Sequence, residues 1–143
     1  MASRIAISKE APLPSRKTAR VEQPDYLTWI RSLPCVITGT RPVEAAHVSF
    51  ANPAYGAPGR GKGSKVSDRW SLPLSPAAHR AQHGAGEQSF WFEHGINPHV
   101  LCMSLWGLFC ERGTDTVQEA ERIIALARGG RFRLWPAGKG DTD

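Results

Sequence analysis

The segment His79-Arg80-Ala81-Gln82-His83 holds the residue types best suited to chemistry in this chain. Two histidines four apart on a helix share one face, so their imidazoles can converge on a single divalent cation. The spacing alone is a modest signal, because such pairs also arise on ordinary surface helices. Its neighbourhood strengthens it. Upstream, Ala46-His47-Val48 places a third histidine in a segment of strand composition. Between them runs the glycine-rich stretch GAPGRGKGSKVSDR, carrying Arg60, Lys62, Lys65 and Arg69. Glycine lets a backbone approach phosphates closely, and the basic side chains read as phosphate contacts. A cation held on the helix can polarise a phosphoryl oxygen, while a neutral histidine across from it deprotonates the attacking water. Together these groups outline a site for phosphodiester hydrolysis.

The elements that must position them are short. Pro24 or Asp25 opens a helix over 26–32, in which Tyr26, Trp29 and Ile30 recur at helical spacing and which Pro34 stops. Residues 35–37 and 43–48 read as two strands joined by the turn Thr38-Gly39-Thr40-Arg41-Pro42, a candidate β-hairpin. A long loop over 49–69 follows, then a brief extended piece at 71–74. Ser75-Pro76 is a helix start, an N-cap followed by proline in the first turn, and that helix runs to about His83 before Gly84 and Gly86. Further helices are expected over 87–94, 98–111 and 116–128, and 132–135 reads as a small strand or a segment packed back on the core.

A chain of 143 residues with 41% hydrophobic content supports one domain. We expect a flexible basic arm at 1–23 carrying Arg4, Lys9, Arg16, Lys17 and Arg20. A single domain over 24–136 follows, with a flexible tail at 137–143. Eighteen Lys+Arg against thirteen Asp+Glu give a net charge of +5, which favours a polyanionic partner without choosing among them. Three cysteines make neither a disulfide framework nor a zinc quartet, and Cys102 and Cys110 read as core. With no apolar run of about twenty residues and no leader segment, the expectation is a cytoplasmic protein without a membrane partner. Trp91, Trp106 and Phe109 read as core rather than as base-stacking groups. His94 and His99, flanked by glycine or proline, read as connecting residues without chemistry.

The order A-H-V, then G-x-G-K-G-S-K-V-S-D-R-W-S-L-P-L-S-P-A-A-H-R-A-Q-H, resembles the HNH (ββα-metal) endonucleases. It looks most like phage and prophage members related to the recombination nuclease Ref. The resemblance covers roughly residues 33–97. It implies an α+β fold with a ββα-metal core over about 33–84 and a helical part over 87–128. It implies DNA as substrate and one divalent metal ion (Mg²⁺, Mn²⁺, Zn²⁺ or Ni²⁺) as cofactor. His47 corresponds to the general base and His79 and His83 to metal ligands. Asp68 corresponds to a third ligand or a group orienting a histidine, and Lys65 to a phosphate contact. Three departures stand out. Trp70 lies near the position of the family's asparagine. Cys35-x-x-Thr38 and Ser75-x-x-Ala78 replace the cysteine pairs of a structural zinc, which is therefore not expected. Ala46 stands where many members place a ligand just before the base. A catalytically degenerate DNA-binding relative, and a small module with a structural zinc, are the alternatives this leaves.

Overall fold

The computed structural model describes residues 22–59 and 65–130, and its framework is an antiparallel pair, β1 (Glu44–His47) and β2 (Ser71–Leu74). The register sets Glu44 opposite Leu74, Ala46 opposite Leu72 and His47 opposite Ser71. The Val48 amide donates to the Trp70 carbonyl at 2.7 Å, extending the ladder one step past His47. Among the described residues five helices surround the pair: α1 (Pro24–Arg31), α2 (Pro76–Gly84), α3 (Glu87–Glu93), α4 (Pro98–Arg112) and α5 (Val117–Arg128). The fold is thus α+β, with a small two-stranded sheet among helices. Among the described residues no helix is long and apolar enough to cross a membrane.

The sheet differs from the expected hairpin. Residues 35–40 close on themselves as a turn: the Gly39 amide donates to the Cys35 carbonyl at 2.8 Å, and the Cys35 amide to Thr40 at 2.9 Å. Gly39 sits at φ +72°, a left-handed conformation that suits glycine and ends any strand there. β1 pairs instead across the long loop with β2, whose four residues are all buried. Leu72 and Leu74 are fully buried there, and fully burying one such side chain contributes about 1.5–3 kcal/mol. Val36 does touch the sheet, donating its amide to the Pro73 carbonyl at 3.0 Å.

The first part of the long loop is built rather than open. Asn52 and Ala57 exchange two backbone hydrogen bonds around the 3-10 turn Pro53–Tyr55. At Gly59 (φ +71°) a Cβ would meet the Ala51 backbone nitrogen at 2.7 Å, so glycine is what permits this close return. The basic arm, Arg60, Lys62, the 132–135 segment and the tail lie outside the described residues.

Helix α2 starts as its sequence requires: the Ser75 hydroxyl accepts from the Ala78 amide at 3.2 Å, with Pro76 in the first turn. Its inward face is Ala78 and Gln82, which leaves His79 and His83 toward the outside. The core gathers Ile30, Leu33, Leu72, Leu74, Trp91, Leu101, Leu105 and Ile124. Tyr26 packs edge-on to Trp106 (4.9 Å) and Phe109 (5.1 Å), locking α1 against α4. Cys102 is core, whereas Cys110 is exposed: α4 turns it to the outer face, and an apolar run does not reveal that facing.

Candidate active site

Two side-chain clusters carry the predicted base, its aspartate and the predicted metal ligands. In the first, His47 at the end of β1 shares a 2.9 Å hydrogen bond between Nε2 and Asp68 Oδ1. Asp68 is 2% exposed, and its other oxygen accepts the Gln23 amide at 2.8 Å, just ahead of α1. An ionised carboxylate can only accept, so His47 carries its proton on Nε2, and in the neutral ring Nδ1 is left as the basic lone pair. Asp68 thus meets His47 directly through this hydrogen bond.

The second cluster lies between strand and helix. His79 and His83 sit one turn apart on α2, with their Nε2 atoms 3.1 Å from each other. On its other side His79 donates Nδ1–H to Glu44 Oε2 at 2.6 Å. That bond fixes the tautomer of neutral His79 and aims its Nε2 lone pair away from the strand, toward His83. Histidines that bind metals are commonly held this way, with the second ring nitrogen donating to a carboxylate. A cation bound to two imidazole nitrogens at about 2.0–2.1 Å in tetrahedral geometry needs those nitrogens about 3.3 Å apart. The observed 3.1 Å is within a small side-chain adjustment of that value, so the donor pair fits a divalent cation.

Glu44 is the residue that sequence reading missed. Ala46 stands directly before His47, yet strand alternation puts residues 44 and 46 on the same face. The carboxylate two residues earlier therefore reaches the helix. By the same alternation Glu44 and His47 leave β1 on opposite faces. No hydrogen bond or ring contact joins His47 to His79 or His83 among the described residues. No group of three or more His, Cys, Asp or Glu side chains there is arranged to hold a metal.

Lys65 and Arg69 are both exposed, and the Arg69 guanidinium lies 5.0 Å from the centre of the Trp70 ring. Trp70, near the family's asparagine position, is buried, and its carbonyl braces the strand end through Val48. His99 is not a connecting residue but a buried member of α4. Its Nε2–H donates to the Phe50 carbonyl at 3.0 Å, and Nδ1 pairs with the Asn52 side chain at 3.3 Å. Burial pushes the His99 pKa below its ordinary value, outweighing the Phe50 bond and the Glu87 charge that favour the cation. Glu87, opening α3, accepts the Ser49 amide (2.7 Å), the Ser49 hydroxyl (2.8 Å) and the Phe50 amide (3.2 Å). His99 and Glu87 together anchor the chain just after His47.

Residues 4–106 match the family described as Protein of unknown function (DUF968), a span that includes Glu44, His47, Asp68, His79 and His83. No curated protein and no solved structure matches the chain. The family match covers most of the molecule, from ahead of α1 into α4, and the chain belongs to the DUF968 family.

Proposed function

We propose that this protein is a metal-dependent DNA endonuclease of the HNH (ββα-metal) class. The observation that carries the reading is the pairing of β1 with β2 directly ahead of α2. It puts an Asp68-held histidine on the strand, and a Glu44-braced histidine pair on the helix that follows. This β-β-α order is what the sequence resemblance implies, reached with a different first partner for β1 than expected.

His47 is the general base: Asp68 holds its Nε2–H, and Nδ1 takes a proton from the attacking water. His79 and His83 hold one divalent ion (Mg²⁺, Mn²⁺, Zn²⁺ or Ni²⁺), with Glu44 keeping His79 in the ligating tautomer. When bound, such an ion supplies Lewis-acid stabilisation of charge on the scissile phosphate. Imidazole donors suit the later transition metals better than Mg²⁺. Lys65 and Arg69 sit on the loop side of the strand end and contact the DNA backbone, as do Arg60 and Lys62 in the same segment.

The test is cleavage of supercoiled plasmid by purified protein with each of the four metals and with chelator. Metal-dependent conversion to nicked or linear DNA, lost in His47→Ala, is the expected result. Salt-sensitive DNA binding without cutting in any metal would instead favour the alternative of a degenerate HNH-fold DNA-binding or recombination accessory protein.

A further inference from the structure

Beside the strand end lies a cavity of about 240 Å³ whose lining includes Tyr55, Gly56, Arg69, Trp70, Met103 and Trp106. Three separate parts of the fold build it: the 3-10 turn of the long loop, the residues leading into β2, and one face of α4. Tyr55 and Trp106 are half-buried, and Met103 is 48% exposed. Aromatic rings present flat π surfaces, and methionine adapts its shape to whatever lies against it. Arg69 puts a cation over the Trp70 ring, 5.0 Å from its centre. Aromatic walls with a guanidinium among them suit a flat heterocycle joined to an anion, as a nucleotide is.

The cavity is also tied to the proposed chemistry by position. Asp68, which holds His47, lies one residue before Arg69 and two before Trp70, in a turn closed by the Trp70 amide on the Ser67 carbonyl at 3.0 Å. We infer that this cavity receives one unstacked nucleobase of the DNA, with the adjoining phosphate on Arg69, so that the favoured substrate is DNA carrying an unpaired base. The inference rests on the nuclease reading for its substrate. Extruding a paired base costs a few kcal/mol of stacking and pairing, and an already unpaired base avoids most of it.

The experiment is fluorescence anisotropy in chelator, where no cutting occurs, with three probes: a fully paired duplex, the same duplex with one bulged adenine, and dAMP as competitor. The bulged duplex is expected to bind about 5- to 150-fold more tightly than the paired one, the range that stacking of one base supplies. Tyr55→Ala and Trp106→Ala should bring that ratio toward one, while Trp106→Phe keeps much of it. Trp106 packs on Tyr26, so Tyr55→Ala is the variant that decides if Trp106→Ala fails to fold. A wild-type ratio of one, a ratio unchanged in Tyr55→Ala, or dAMP binding as tightly as the bulged duplex overturns the inference. If the ratio holds but plasmid is cut in no metal, the nuclease reading fails and the base site stands.

Discussion

Glu44 Oε2 accepts the Nδ1–H of His79 at 2.6 Å, joining the first residue of β1 to the first turn of α2. The bond decides which nitrogen of His79 is free, and so what the helix pair can bind. Removing such a carboxylate commonly weakens metal affinity about 10–100-fold. Glu44→Ala should show that loss for Ni²⁺ or Zn²⁺ by isothermal titration, with helix content unchanged by circular dichroism. Equal affinity in variant and wild type would mean that the carboxylate does not set the donor geometry.

Asp68 makes the opposite choice for His47, holding Nε2–H and freeing Nδ1. His47→Ala should lower cleavage by about 10²–10⁴-fold, the usual worth of a general base, while metal affinity stays near wild type. Asp68→Asn should slow cleavage as well, and it should alter its pH profile. An amide cannot accept from both His47 and the Gln23 amide without turning a donor toward one of them. If His47→Ala abolishes metal binding as fully as His79→Ala, His47 is a ligand and not a base.

The parts of this site that were legible in the sequence are those fixed locally. Ser75-Pro76 announces α2 because a cap and a first-turn proline act within one turn, and the histidine spacing then follows from helical geometry. The partner of β1 was not legible. It lies across the long loop, where Leu72 and Leu74 are buried, while Cys35, Gly39 and Thr40 bond to one another in a turn. Glu44 was missed for the same reason: its contact with His79 exists only once β2 brings α2 alongside β1. His99 looked inert beside Pro98, yet it is buried because the returning loop places Phe50 and Asn52 against it.

Binding to DNA should depend steeply on salt. Each phosphate contact releases condensed counterions, so log affinity falls with log salt at about −0.9 per contact on duplex DNA. Lys65→Ala and Arg69→Ala should each flatten the slope by roughly one, as should changes at Arg60 and Lys62. An unchanged slope in all four would make the cluster a solvated face only.

Stability should fall as pH drops below the ordinary histidine range, and His99 is the reason. Its folded-state pKa is lowered by burial, so the unfolded chain binds the proton more readily than the native one. Stability therefore rises with pH through this region; the contribution is complete above the unfolded value of about 6.5 and shrinks below it. His99→Gln should lose about 1–3 kcal/mol at neutral pH through its disturbed buried hydrogen bonds. It should also show a shallower decline between pH 7 and pH 5 in urea midpoints. An equally steep decline in the variant would assign the pH dependence to another group.

His79 and His83 should act as a unit. Their Nε2 atoms stand 3.1 Å apart on successive turns of α2, so a cation shared between them loses its seat when either ring is removed. Groups serving one function are strongly non-additive, whereas independent contacts multiply in rate. The double alanine variant should thus cut DNA hardly more slowly than either single one. Metal should also stabilise the fold, because a ligand that binds the native state alone shifts the unfolding equilibrium by mass action. Thermal melts give the second readout. Chelator should lower the wild-type melting temperature and change little in His79→Ala, His83→Ala or the pair. Losses that multiply across the two positions, or wild-type cutting that survives chelator, would mean that no shared cation acts here. The two rings would then be joined by their ring contact and the Nε2–Nε2 hydrogen bond, with His83 donating to a His79 held by Glu44.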